Sequence, residues 1–198
     1  MPRSIYLPDL DGETTMKMLT GLAMMLATAA ALPAAAQTPP PPPPPEAKTQ
    51  AMPYVMASGM SDLYEINSSQ IALQKAQSPA VKRFANMMIK EHQKTTAKTM
   101  AAAKKAGLNP TPPMLDAGAT ASINELQTAA PGDFDRIYLA QQLPAHQAAL
   151  DLQQSYASGG DQAALRANAK AAAPIVKRHV DMVTKMQAGD MKGGNHSM

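Results

Sequence analysis

The 198-residue chain carries 18 Lys and Arg against 15 Asp and Glu and contains no cysteine. Without cysteine it has neither a disulfide framework nor a thiolate metal site, so its stability must come from packing alone. Its basic residues are dispersed along helical stretches with only Phe84, Phe134 and a few tyrosines among them, which leaves no stacking platform or phosphate-binding stripe and argues against nucleic acid as a partner.

Residues 16–37 read MKMLTGLAMMLATAAALPAAAQ: a lone Lys17, an uninterrupted apolar and small run, then Ala34-Ala35-Ala36 before Gln37. This is the layout of a secretory signal, with cleavage expected after Ala36. The run is shorter than the about 20 residues that span a bilayer, so a retained anchor is the weaker reading. Asp9, Asp11 and Glu13 precede it, poor company for a signal's positive start, and point to translation beginning at Met16 or Met18. Loss of residues 1–36 removes Arg3, Lys17 and those three acids and takes the net charge from +3 to +4. The expected location is periplasmic or outer-envelope, with no membrane span left after cleavage.

Pro39 to Pro45 are seven consecutive prolines. Such a run holds an extended left-handed helix of about 3.1 Å per residue, a stiff spacer of about 20 Å between the cleavage site and the fold. Residues 37–53 are therefore expected to form a solvated linker.

Residues 54–187 read as one all-helical unit, rich in Ala, Gln, Lys and Met, with apolar positions recurring at three and four. A first helix is expected over 54–76, with Met56, Met60, Leu63, Ile66 and Leu73 inward. Ser78-Pro79 supplies an N-cap and a first-turn proline for a second helix, which runs to Ala106 and ends at Gly107. Its seam is Val81, Ala85, Met88, His92, Thr95, Thr99 and Ala102. A Pro-rich connection leads to a short helix near 117–128. The third long helix starts after Gly132 and carries Phe134, Ile137, Leu143, His146 and Leu150. Asp161 caps the fourth, whose heptad holds Leu165, Ala169, Ala172, Val176, His179, Val183 and Met186. Pro144 and Pro174 fall inside these patterns, so kinks are expected near Ala140 and Lys170. Residues 188–198 are glycine-broken and terminal, so disorder explains Met191, His196 and Met198 better than a copper-type set does. Four long helices with one long crossover are the plan of a ferritin-like bundle.

The stretch Met60-Ser-Asp-Leu-Tyr-Glu65, then Ala72 to Ala85, Glu91-His92, Phe134-Asp-Arg-Ile-Tyr138 with His146, and Pro174 with His179 resembles the exported bacterial proteins grouped as domain of unknown function 4142. The resemblance spans the whole folded part. It implies a ferritin-like four-helix bundle in the bacterial envelope, often labelled an outer-membrane protein, and implies little about activity.

His92, His146 and His179 occupy seam positions that a helix normally gives to Leu, Val or Ala, so each needs a buried partner. A di-iron centre is argued against, because the residues three before them are Ile89, Leu143 and Val176 rather than carboxylates. A mononuclear site made of these histidines and Glu65 suits a single Zn, Cu or Fe ion. Glu65 lies 11 residues before the end of its helix and His92 13 after the start of the next, a height difference of about 3 Å. His146 and His179 lie 11 and 17 residues from their shared turn, a mismatch of about 9 Å that opposes one tight cluster. The preferred expectation is that each histidine is a satisfied polar core residue, with Glu65 holding His92, and Asp135, Asp151 or Asp181 serving the others. There is no phosphate loop, nucleophile elbow or His-Glu-x-x-His helix, and Asp133 and Asp135 at a helix start read as caps. The resulting expectation is a non-enzymatic envelope bundle, without a cofactor, whose role is binding, structural or stress-related and whose partners are envelope components or a second copy. A metal-binding bundle is the alternative.

Overall fold

The structure is a computed structural model that describes residues 38–189. The signal segment with its cleavage site, and the tail from Asp190 onward, lie outside the described residues. After a 3-10 turn at Pro45–Lys48 come five helices: α1 (Ala51–Lys75), α2 (Pro79–Lys105), α3 (Ala117–Thr128), α4 (Phe134–Gly159) and α5 (Ala163–Gln187). No strand occurs among the described residues, and none of these helices is long and apolar enough to cross a membrane.

The four long helices form a ring in the order α1, α2, α5, α4. Three-residue turns join α1 to α2 and α4 to α5, which makes each pair antiparallel. Bonds across the ring set the other directions. Tyr54, early in α1, donates to Gln153, late in α4, whereas Ser69 and Tyr138 meet at the other end. Neighbouring helices are thus antiparallel all round, and α2 and α4 point the same way. The connection from Ala106 to Asp133 must therefore return along the bundle's length, and α3 lies on that return against α1 and α4.

The ends of the helices follow local chemistry. Ser78 Oγ accepts from Ala80 N and Pro79 opens α2, as expected. Asp135, on α4, also accepts from Gln77 and Ser78 backbone N–H groups, which ties it to the start of α2. Gly107 takes a positive φ of 75° so that its own N–H and that of Leu108 can reach the last α2 carbonyls. Asp161 is not the cap of α5. Gln162 holds that position without a side-chain bond, and Asp161 instead accepts from the Tyr156 hydroxyl. Both α4 and α5 run on through Pro144 and Pro174 as single helices.

Two apolar layers close the bundle. Phe84, Met88, Leu126, Phe134, Tyr138 and Val183 pack near the α1–α2 turn; Tyr54, Val55, Leu152, Tyr156, Leu165 and Ala169 pack at the other end. Burying each large side chain contributes about 1.5–3 kcal/mol. The proline run, expected to be solvated, is laid along the bundle. Pro40, Pro41 and Pro43 line a pocket with Tyr64 and Ala145, and Ser122 Oγ donates to Thr38 O at 2.7 Å. Gly118 permits this approach, since a Cβ there would lie 2.6 Å from Pro41 Cδ. Between the two apolar layers sits a polar one.

Candidate metal centre

α2, α4 and α5 each turn one histidine into the middle layer. The rings of His92, His146 and His179 form a near-equilateral triangle, with centroids 5.6 Å, 5.3 Å and 5.2 Å apart. All three residues are buried. The mismatch in height expected for His146 and His179 does not keep them apart. His146 lies 13 residues from the end of α4 and His179 16 from the start of α5. Helical side chains lean toward their own N-terminus by about one residue, which moves the His146 ring away from the shared turn and the His179 ring toward it.

Each imidazole has one nitrogen tied to an acceptor. His92 Nδ1 meets Asp62 Oδ1 at 2.8 Å, His146 Nδ1 meets the Gln142 carbonyl at 2.9 Å, and His179 Nε2 meets Glu91 Oε2 at 2.6 Å. The second nitrogens, His92 Nε2, His146 Nε2 and His179 Nδ1, are buried without a hydrogen-bond partner among the described residues. The candidate ligand atoms of the three histidines lie within 4.8 Å of one another. A point equidistant from three atoms no more than 4.8 Å apart is at most about 2.8 Å from each, within about 0.7 Å of a metal–imidazole bond.

The partners differ from those read in the sequence. Asp62, not Glu65, holds His92, and Thr95 and Thr96 hydroxyls donate to the same carboxylate at 2.8–3.0 Å. Height alone could not separate the two acids, which lie within one turn of each other. Three residues advance 300° around a helix, however, so Asp62 and Glu65 sit about 60° apart: one faces α2, the other α4. Glu65 Oε1 accordingly lies 3.6 Å from His146 Nδ1, beyond a hydrogen bond, and Glu65 does not join the three nitrogens. Asp135, Asp151 and Asp181 serve no histidine; the last two pair with Lys48 and Lys177 at the surface. Glu91, which lies off the seam, bridges His179 and Arg178.

The electrostatics separate the three rings. Burial opposes a charge on His92, but the bond and charge of Asp62, with Glu65 and Glu91 nearby, outweigh it and raise its pKa. Burial, reinforced by the charge on His92, pushes His146 down to about 3. His179 is pushed down to about 2 by burial and by its histidine neighbours, with Arg178 adding to the effect. Burial lifts Glu65 to about 7, against the pull of His92 and Gln142. The metal-free layer thus holds two neutral imidazoles whose bare nitrogens face a third ring. Such a set takes a soft or borderline cation in place of a proton.

Residues 35–186 match the family model described as Domain of unknown function (DUF4142). Among curated proteins the sequence finds no match. Among solved structures the chain is similar to CopM in the Cu(I)-bound form, with a TM-score of 0.61 at 17% identity over 72% of this chain and 98% of that one. It is similar also to CopM in the Cu(II)-bound form, with a TM-score of 0.60 at 16% identity over 71% and 97%. The apo form of CopM gives a TM-score of 0.59 at 19% identity over 73% and 99%. At these identities the likeness is one of fold.

Proposed function

The chain belongs to the domain of unknown function 4142 family, and we propose that within it this protein is an envelope metal-binding bundle that holds a single copper ion between His92 Nε2, His146 Nε2 and His179 Nδ1. The observation that carries the reading is the division of the nitrogens: one nitrogen of every imidazole is tied to an acceptor, and the other is buried and left without a partner among the described residues. Outer acceptors of this kind orient metal-ligating histidines and raise their basicity. Three buried nitrogens left without a partner cost stability that no contact among the described residues returns. A purely structural role gives no reason for that arrangement.

Copper is favoured over zinc on two grounds. Three neutral nitrogens without a carboxylate or thiolate at ligand distance suit Cu(I), whereas zinc seeks a fourth ligand. The fold neighbour named above, CopM, is described in Cu(I)-bound and Cu(II)-bound forms. Glu65 stands behind His146 rather than among the ligands. The proposed organisation is a signal through residue 36, a proline segment that ends where α1 begins at Ala51 rather than at residue 54, the bundle from there to 187 and a tail over 188–198. The role read from this arrangement is the binding of an ion.

The test is thermal unfolding of untagged protein with and without copper. Saturating copper raises the melting temperature, by mass action worth about 4 kcal/mol at a thousandfold excess over Kd. His92→Ala, His146→Ala and His179→Ala each abolish the rise. A shift that survives all three substitutions overturns the proposal.

A further inference from the structure

Building on the copper site proposed above, we infer that the ion enters and leaves along the seam between α2 and α5, and that the Arg178–Glu91 pair is the gate on that route. Two seams of the ring, α1/α4 and α2/α5, are packed less extensively than the pairs joined by short turns. They are the thin walls around the histidines, and they are covered differently.

The α1/α4 wall has a second layer. α3 packs on both of its helices, and Pro40, Pro41 and Pro43 lie over Met60, Ser61 and Tyr64. Beneath this cover the open volume is about 20 Å³, room for one or two waters. The proline segment is itself held, through Thr38 N donating to Glu125 Oε2 and Ser122 Oγ donating to Thr38 O. A cation approaching from this side would have to lift a strap and a helix.

The α2/α5 wall at the level of the histidines is crossed by two polar contacts that share one oxygen: Arg178 Nη2 donates to Glu91 Oε2, and His179 Nε2 meets the same atom from the inner side. The next polar crossing along the seam among the described residues, Asn168 Nδ2 donating to Thr99 Oγ1, lies two to three turns away. Of the side-chain acceptors behind the rings, Asp62 is 8% exposed whereas Glu91 is 27% exposed, and its partner Arg178 is 50% exposed. His179 is therefore the one ligand whose outer nitrogen is a single carboxylate away from solvent. On the inner side a void of about 10 Å³ beside His92, bordered by Thr95, Thr99, Ala172 and Val176, gives the side chains some freedom to shift.

The chemistry of the pair follows from its charges. While Arg178 is engaged, its positive guanidinium sits at the entrance and repels an incoming cation, and the Glu91 carboxylate is neutralised. When the pair opens, that carboxylate becomes an oxygen ligand at the mouth of the seam, and the bond that fixes the His179 ring loosens. Arg178 sits on the path but not in the site, so it sets the rate of exchange and leaves the equilibrium nearly unchanged.

The experiment loads the full chain with Cu(I) and follows its loss to a colorimetric Cu(I) chelator, at chelator concentrations where the rate has become independent of the chelator. Arg178→Gln speeds release about threefold to fivefold, the size expected of one partly exposed ion pair, and speeds uptake by a similar factor while Kd changes less than twofold. Lys177→Gln, which removes the same charge from a surface pair with Asp181 one residue away, leaves both rates unchanged. Pro40→Ser, Pro41→Ser and Pro43→Ser combined, which loosen the strap on the opposite wall, also leave them unchanged. Copper that binds but exchanges at wild-type rates in Arg178→Gln overturns the gate alone, as does acceleration by the serine variant instead. A wild-type chain that takes up no copper overturns the site itself, and the gate with it.

Discussion

The middle layer of the bundle and the two layers that flank it are built by the same four helices at the same depth, yet they finish their polar groups differently. In the flanking layers the buried hydroxyls are closed: Tyr54 donates to Gln153, Tyr138 meets Ser69, and Tyr156 donates to Asp161. In the middle layer the bonds lie behind the rings and the bare nitrogens lie between them. Burial is equal, so burial does not mark the site. What marks it is an unfinished set of acceptors that converge on one point.

That contrast is broken or sharpened first by stability. Phe134 is fully buried in a flanking layer, where it stacks on Tyr138. Phe134→Ala should cost about 3–5 kcal/mol of unfolding free energy in denaturant and leave copper binding intact, because the loss is a cavity in an apolar layer. His146→Leu should do the reverse. In copper-free protein it replaces a half-satisfied imidazole by an apolar side chain of similar size, a change that is close to neutral, and it abolishes copper binding. A copper-free His146→Leu protein as unstable as Phe134→Ala would make the histidines structural and erase the difference between the layers.

The sequence made the helices legible because the spacing of apolar residues is a property of each helix by itself. The bounds of α2 and α3, the cap at Ser78, the crossover helix and the three inward histidines all follow from local pattern. The partners were not legible, because they depend on how the helices are turned toward one another. Asp62 and Glu65 are both on the inner half of α1, and counting residues along the axis cannot say which faces α2. Glu91 precedes a seam histidine by one residue, which places it 100° away and hence toward the neighbouring helix. Glu91, the carboxylate next to His92, was the available signal; no carboxylate adjoins His146 or His179 in the chain. The proline run misled for a related reason: composition gives its stiffness, whereas its resting place depends on Gly118 and Ser122 of a distant helix.

The assignment of Asp62 gives the next test. Asp62→Asn keeps an oxygen for His92 Nδ1–H but removes the charge that Thr95 and Thr96 also hold. Loss of such an outer acceptor lowers metal affinity by about 10–100-fold, equivalent to about 1.4–2.7 kcal/mol. Competition against a chelator of known affinity reads this directly. In copper-free unfolding, a double-mutant cycle between positions 62 and 92 should give a larger coupling than one between 65 and 92. The opposite order would put Glu65 back behind His92 and with it a different rotation of α1.

The smallest effect concerns acid and base in the copper-free chain, where the middle layer alone should shape stability between pH 4.5 and about 7. His146 and His179 have pKa values pushed far below the ordinary imidazole value of 6.5, so below pH 6.5 the unfolded chain binds two protons that the folded chain refuses. That stability is lost as the pH falls. Glu65 works the other way: its pKa is lifted from 4.5 to about 7, so over that range the folded chain holds one proton more. Between 6.5 and 4.5 the balance is one proton in favour of the unfolded state, a loss of about 1 kcal/mol per pH unit on acidification. Above 6.5 the two depressed histidines no longer contribute, while Glu65 and the raised His92 both favour the folded state less as the pH climbs. Stability of the copper-free protein should therefore peak near pH 6.5, measured as unfolding free energy in denaturant across pH 4.5–8. Replacing His146 and His179 together by Leu removes the two proton-refusing groups and leaves Glu65, so the acid limb should then reverse, with stability rising as the pH falls toward 4.5. An acid limb that keeps its slope in the double variant would move the acid sensitivity to carboxylates outside the middle layer.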